Sequence, residues 1–238
     1  MLEQEYHAHS RRKYLMIAAG VVLTLVAAYV FTTLGMKEAG SLQTVDAIAR
    51  YFDGTIAMGA DAAMNKIILL LRLPRVLLAL IAGAGLALAG ALMQSVTRNY
   101  LVSPFTLGIS SAAALGASLC IVLAAGTVLD SDFGIIGAAF LLSCACGIIV
   151  YGIAQRSGLS PTTIVLVGIA LNYFFSALTA TLEFFAQEHK LAAVIQWTFG
   201  SLHRASWEYV AIGGVVVALG IAAALFYALP LNVMAVSD

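Results

Sequence analysis

The chain has 238 residues, of which 62% are hydrophobic and only 10% are charged, and its mean hydropathy is +0.98. Soluble globular domains carry about 25% charged residues, so the composition excludes a soluble domain. Twelve basic side chains balance twelve acidic ones, which leaves no excess of positive charge for nucleic acid. We therefore expect a membrane protein with no nucleic-acid partner.

The charged residues divide the chain into six uncharged stretches of 22 to 31 residues. About 20 apolar residues in a helix cross the hydrocarbon core of a bilayer, so each stretch is long enough to span it. The stretches are apolar on every side, whereas strands of a membrane barrel alternate apolar and polar residues. The sequence thus predicts an all-α fold, a single transmembrane helical bundle. Its six predicted spans are 14–36, 76–97, 99–129, 133–155, 157–182 and 209–237.

The N-terminal residues and the segment between the first two spans indicate how the chain is oriented in the membrane. Arg11, Arg12 and Lys13 precede the first span, and no cleavage site of small residues follows it. This pattern predicts a retained anchor with residues 1–13 as a cytoplasmic tail, which places residues 36–75 on the extracytoplasmic side. Within that segment, the apolar groups of 42–52 fall on one side of a helix, which predicts a short surface helix.

Small residues repeat at four-residue spacing along the second predicted span, and three more do so in the third. In lipid, helices associate largely by close contact of such faces, so internal packing is one interpretation. A face that leaves room for a bulky solute is the other. The residues are Ala79, Gly83, Ala87, Ala91 and Ser95 in the second span, and Gly108, Ala112 and Gly116 in the third.

Polar side chains inside the third and fifth spans are candidates for a solute path. Pro104 suits the first turn of a helix, and Ser110 and Ser111 follow it. The two hydroxyls either line a hydrated cavity or bond back to their own helix backbone. In the fifth span a line of polar groups should face protein or water rather than lipid. These groups are Asn172, Ser176 and Thr179.

Two arginines flank Pro74, which we expect to begin the helix of the second span. Arg72 and Arg75 either reach from the helix end to the membrane surface or bind acidic residues of an external partner. The residue pattern leaves both roles open.

Three cysteines, Cys120, Cys144 and Cys146, fall inside predicted spans. That position is unlike a secreted disulfide framework. We expect all three to be buried as small apolar side chains.

The chain resembles the FecCD-type permease subunits of ABC importers for ferric siderophores, haem and cobalamin. The resemblance rests on Arg-Leu-Pro-Arg at 72–75, on the small residues that follow to Gln94, on Thr-Arg-Asn at 97–99, and on Leu-Gly-Ile-Ser-Ser-Ala at 107–112. Weaker similarities lie at 166–170, 196–202 and 231–232. Family members have ten helices, so the chain resembles the N-terminal two thirds of such a subunit.

The resemblance implies a permease that dimerises around a translocation path in the inner membrane of a bacterium or archaeon. A binding protein outside the membrane would deliver the solute, and a separate ATPase would hydrolyse ATP, so this chain is expected to catalyse no reaction and bind no cofactor. By the same resemblance, the binding protein docks on Arg72 and Arg75, and ferric siderophore is the favoured solute. Candidates for the path are Gln94, Ser110, Ser111 and Asn172, and Leu231 and Asn232 begin an ATPase-coupling segment at 231–238.

Two other functions compete with this interpretation. A secondary transporter or channel usually carries ionisable residues at mid-membrane, and the predicted spans have none. An intramembrane serine protease is a remote alternative, because a nucleophilic serine needs a base within hydrogen-bond reach. All four histidines, at positions 7, 9, 189 and 203, lie outside the predicted spans, and so does every lysine.

Overall fold

The computed structural model describes residues 2–33, 49, 65–124, 127, 131–158 and 160–229. All regular secondary structure in these ranges is helical, which confirms the all-α prediction. A π-helical segment, Ile67–Arg72, runs directly into α2, and a 3-10 turn, Pro104–Leu107, precedes α3. The α-helices are α1 (Leu2–Thr33), α2 (Leu73–Thr97), α3 (Ile109–Leu123), α4 (Asp132–Arg156), α5 (Pro161–Phe185), α6 (Glu188–Phe199) and α7 (Trp207–Phe226).

Within the described ranges, five helical segments are long and apolar enough to cross a membrane, and this agrees with a chain that crosses it several times. They are Arg11–Thr33, Ile67–Thr97, Asp132–Arg156, Pro161–Phe185 and Trp207–Phe226. The first of them continues a helix that already begins at Leu2. The predicted surface helix at 42–52, of which only Ala49 is described, and the segment 231–238 lie outside the described residues.

The helices group into two compact units. The first unit comprises residues 1–81 with 202–214, and the second comprises 82–201 with 215–238. Residues of α2 and of α7 therefore belong to both units.

In the first unit, Pro74 lies inside a continuous helix, so the expectation that it begins that helix is wrong. The π-helical segment provides the reason, because the N–H of Leu73 donates to the carbonyl of Ile68, five residues back. The next donor in this pattern would be Pro74, which has no N–H to offer to the carbonyl of Leu69. The indole N–H of Trp207 donates to that carbonyl instead, over 3.0 Å.

In the second unit, α3 packs against α4 and α5 around a buried core. Glycines allow the backbones to approach closely. A Cβ added at Gly116 would lie 2.5 Å from the carbonyl oxygen of Ala138 in α4, and one added at Gly168 in α5 would lie 2.6 Å from that of Thr106. The core residues are Ala112, Leu115, Cys146, Val150 and Phe175.

The third predicted span differs most from the structure. Pro104 begins the 3-10 turn rather than a membrane helix, and α3 begins five residues later, at Ile109. Gly108 separates the two with a φ of +75°, a left-handed conformation that costs glycine little. A Cβ there would lie 2.8 Å from the backbone nitrogen of Asn172, so space as well as conformation requires glycine.

α3 is a short helix that begins beside the middle of α4. Its 15 residues extend about 22 Å, less than the ~30 Å of a hydrocarbon core. The hydroxyl of Ser143, the twelfth of the 25 residues of α4, donates to the carbonyl of Ile109 over 3.3 Å. The Cys146 thiol donates to the carbonyl of Leu107 over 3.5 Å, which satisfies part of the irregular backbone that precedes α3.

None of the three cysteines, all of which lie in the described ranges, forms a disulfide bond. Cys120 and Cys146 are buried as expected, but Cys144 is exposed, so the prediction of its burial is wrong. Cys144 and Cys146 are two residues apart on α4, and a helix places such residues on different faces.

Candidate functional site

The two arginines bind backbone carbonyls of the first unit. Arg72, at the end of the π-helical segment, donates from Nη1 to the carbonyl oxygen of Thr32 over 3.2 Å. Arg75, in the first turn of α2, donates from Nη2 to the carbonyl oxygen of His203 over 3.3 Å. Both arginines are half-buried. Since Thr32 lies in the last turn of α1, Arg72 also places a cation at the negative end of that helix.

Both arginines line a cavity of about 740 Å³ in the first unit. Its other lining is mainly apolar and comes from α1, α2 and Leu202. The Nε of Arg75 is buried and has no hydrogen-bond partner among the described residues. Arg72 and Arg75 are three residues apart and therefore lie on one face of the helix. Each guanidinium group can bind a carboxylate through two parallel N–H donors. The remaining lining residues are Leu23, Thr24, Ala27, Ala28, Phe31, Val76, Ala79 and Leu80.

In the second unit, polar side chains of α3 and α5 meet. The hydroxyl of Ser111 donates to the side-chain oxygen of Asn172, and the hydroxyl of Ser176 donates to Ser111 Oγ over 3.4 Å. Ser111 therefore bonds across the helix pair, whereas Ser118 of α3 bonds back to the carbonyl of Ala114. Hydrogen bonds between helices fix their relative position in a membrane.

A second cavity, of about 570 Å³, opens beside this contact, and we call it the hydroxyl cavity. It is lined by α3, α5, α6 and the 3-10 turn, and five of its lining residues carry hydroxyl groups. Ser110 and Ser111 are among them, while Asn172 is linked to the cavity through Ser111. Hydroxyls both donate and accept hydrogen bonds, so they suit a polar solute or water. The lining residues are Phe105, Ser110, Ser111, Ala113, Ala114, Ser176, Thr179, Ala180, Glu183, Trp197 and Thr198.

Gln94 does not join these residues. Its side-chain nitrogen donates to the carbonyl of Tyr100 over 3.1 Å, in the turn that follows α2. The structure thus places it against local backbone, outside the lining of the hydroxyl cavity.

The small-residue faces separate into two kinds. Gly108 and Gly116 lie in close backbone contact with neighbouring helices. The face on α2 is exposed at Ala79, Gly83, Ala87 and Ala91, and a Cβ at Gly83 would meet nothing within 4 Å among the described residues. The α2 face is thus available to a helix that is not part of this chain's described structure.

The sequence reasoning missed two polar residues that line the cavity, Glu183 and Thr198. Glu183 continues the polar line on α5 at four residues beyond Thr179, and that spacing could have predicted its position. Thr198 lies next to Trp197 near the end of α6, and no sequence pattern indicates its orientation.

The hydroxyl of Ser111 has no basic hydrogen-bond partner among the described residues. The neighbours of Ser111 are an amide oxygen and a hydroxyl, neither of which is a base that could activate a nucleophile. Within the described ranges, no group of three or more His, Cys, Asp or Glu side chains is close enough to hold a metal ion.

Comparison with known proteins identifies relatives along almost the whole chain. A protein of Methanocaldococcus jannaschii that is named as an ABC transporter permease is 33% identical over 222 residues, which cover 89% of this chain and 60% of that protein. A protein of Helicobacter pylori that is named as an iron chelatin transport system permease is 36% identical over 177 residues, covering 74% of this chain and 52% of the relative.

A solved structure is similar in fold as well as in sequence. It is described as an inward-facing conformation of a metal-chelate type ABC transporter, with a TM-score of 0.74 and 28% identity. The match covers 94% of this chain and 66% of the solved one. The chain thus spans between about half and two thirds of the length of these relatives. The sequence profile of the FecCD transport family matches residues 21–238, and the chain belongs to that family.

Proposed function

We propose that the chain forms a membrane-spanning permease of an ATP-driven ABC importer for a ferric siderophore or a related metal chelate. The observation that carries the proposal is the hydroxyl-lined cavity beside the short helix α3, within a chain of the FecCD transport family. The relative named for iron chelatin and the solved structure described as metal-chelate type support this class of solute.

In this proposal, the hydroxyl cavity of the second unit is part of the translocation path. Ser110 and Ser111 contact the passing solute, and Asn172 holds Ser111 in place. Hydroxyls replace the hydrogen bonds that a chelate loses when it leaves water, without the cost of a charge at membrane depth. Gln94 faces the turn after α2, so its role in the path depends on a movement of that turn.

A second permease subunit, identical or related, completes the path. The exposed small-residue face of α2 supports this part of the proposal, because it allows a helix of another subunit to approach closely. Leu231 and Asn232, which lie outside the described residues, would begin the contact with a cytoplasmic ATPase that hydrolyses ATP.

An extracytoplasmic binding protein would dock on Arg72 and Arg75. With the N-terminus in the cytoplasm of a bacterial or archaeal cell, the end of α1 lies at the outer face of the inner membrane. Arg72 bonds Thr32 at that end, which is consistent with an arginine pair on the outer side. Guanidinium–carboxylate pairs would then orient the binding protein as well as attract it.

The test is co-purification of the protein, expressed from its own chromosomal locus with an affinity tag, from detergent-solubilised membranes. We expect a nucleotide-binding ATPase in equal ratio, and ATP-dependent uptake of an iron chelate by the same cells. An intact dimeric preparation without an ATPase would contradict the proposal and favour a secondary transporter, which ion-driven uptake would reveal.

A further inference from the structure

Glu183 is the one ionisable side chain among the described residues that line the hydroxyl cavity. Glu183 is half-buried in its lining, and no Lys, Arg or His accompanies it among the described lining residues. Lys190, the next lysine along the chain, donates instead to the carbonyl of Val122 over 2.7 Å, at the end of α3. Glu183 forms no ion pair within the part of the chain that the structure describes.

Glu183 also lies at the unfavourable end of its helix. It is in the last turn of α5, which ends at Phe185, and the partial charge at a helix C-terminus is negative. A carboxylate in that turn therefore adds to the negative potential rather than balancing it. Residues that contradict a local rule without a compensating contact are found most often at functional positions.

The opposite end of the cavity does not cancel this charge. Ser110 and Ser111 belong to the first turn of α3, where the helix contributes about half a positive charge at most. Ser176, which contacts Ser111, is seven residues before Glu183 on α5, so the two ends lie about 10 Å apart. The full charge of Glu183 therefore dominates at its own end.

An aromatic side chain in the same lining also favours a positively charged group. Trp197 of α6 is half-buried beside the cavity, and the face of an indole attracts ammonium and guanidinium groups more strongly than any other aromatic side chain. A carboxylate and an indole in one cavity both stabilise a positively charged group.

We infer that this cavity selects solutes that carry a positively charged group, and that Glu183 determines the selection. The inference rests on the proposed function and narrows it to cationic metal chelates. Neutral chelates of the same shape pass less readily, because they lack the attraction to Glu183.

The test compares two probes in cells that express the protein with its partners from the chromosomal locus. Both probes are the same linear ferric trihydroxamate, labelled with radioactive iron, with either a free primary amine or an acetylated one. Their charges are thus +1 and 0, and they differ in size only by the acetyl group. The measured quantity is the ratio of their initial uptake rates.

We expect Glu183→Gln to lower the ratio of cationic to neutral uptake about three- to tenfold, because it removes the attraction between one carboxylate and one ammonium group in a partly solvated cavity. Glu183→Asp keeps the charge and should keep the ratio. Glu188→Gln is the matched control, since Glu188 is exposed in the first turn of α6 and does not line the cavity. Immunoblots of the membranes report the amount of each variant.

An unchanged ratio in Glu183→Gln, at normal amount in the membrane, overturns the inference and leaves the proposed function intact. If that variant does not reach the membrane, Thr198→Asp tests the inference instead, because it adds a carboxylate at an exposed position of the same lining. This variant should raise the ratio, and an unchanged ratio overturns the inference. Wild-type cells that take up the two probes at equal rates also overturn the inference and leave the proposed function intact.

Discussion

The indole N–H of Trp207 donates to the carbonyl oxygen of Leu69 over 3.0 Å, and this is the carbonyl that Pro74 leaves without a backbone donor. Residues far apart in the chain thus repair one defect in the helix of the first unit. An unsatisfied backbone group costs about 2–7 kcal/mol when it leaves water for an apolar medium, so the repair allows a proline inside a membrane helix.

Trp207→Phe should lower the stability of the protein in detergent by about 1–2 kcal/mol, because it removes the donor but keeps an aromatic ring. The measurement is the thermal unfolding midpoint of the purified protein. In a Pro74→Ala background the loss should be smaller, since residue 74 then has an N–H of its own. Equal losses in the two backgrounds would show that the indole acts through packing alone.

Gly116→Ala should destabilise the second unit by about 1–3 kcal/mol through overpacking. Its Cβ would lie 2.5 Å from the carbonyl oxygen of Ala138, and neither atom can move without its helix, because the Cβ is fixed to the backbone of α3 and the oxygen belongs to the backbone of α4. Gly137→Ala is the control, because a Cβ at Gly137 meets nothing within 4 Å in the described structure. Thermal unfolding of the two variants compares them, and equal midpoints would contradict the close contact of α3 with α4.

Ser111→Ala should cost more stability than Ser118→Ala, although both remove one hydroxyl from α3. The first leaves the side-chain oxygen of Asn172 without its donor, at a cost of about 0.6–1.7 kcal/mol for an interhelical bond in a membrane. The second removes a bond to the carbonyl of Ala114 within the same helix. A double variant, Ser111→Ala with Asn172→Ala, should lose less than the sum of the single changes. Additive losses would exclude coupling.

The sequence predicts the long membrane helices well because each follows from one strong physical constraint. A segment such as Pro161–Phe185 must pair its own backbone groups in lipid, so apolar length alone indicates a helix. The interruption before α3 escapes this reasoning. Hydropathy does not distinguish a helix from an irregular segment whose polar groups are satisfied by neighbours such as Cys146.

Local backbone rules explain the other differences. Pro74 is a good first residue for a helix, and the sequence shows neither the π-helical segment nor the distant Trp207 that makes an internal proline tolerable. In the site, the sequence shows the polar line on α5 as far as Thr179, whereas the charge of Glu183, one turn further on, ends the predicted span before it. The grouping of α3, α5 and α6 around one cavity depends on tertiary packing, which periodicity does not supply.

Reversing both arginines, Arg72→Glu with Arg75→Glu, should weaken the complex with the binding protein at least tenfold and make the remaining affinity less sensitive to salt. The measurement is binding of the purified binding protein to the transporter in lipid nanodiscs at several salt concentrations. The change also removes bonds to the carbonyls of Thr32 and His203. A second pair, Arg72→Gln with Arg75→Gln, therefore serves as control for local structure. Affinity unchanged by reversal, in protein with a normal unfolding midpoint, would contradict docking at this pair.

Gly83→Leu should prevent the permease from dimerising while the single chain still folds. The described structure places nothing within 4 Å of a Cβ at Gly83, so a larger side chain meets no obstacle inside the chain, whereas it would keep the backbone of an adjoining subunit at a distance. Crosslinking in membranes and size-exclusion chromatography in detergent measure the dimer. Gly147→Leu on α4 is the matched control, because Gly147 also has open space around it. A normal dimer with blocked uptake would instead assign the small-residue face of α2 to the translocation path, since there the leucine would obstruct the solute and not the subunit.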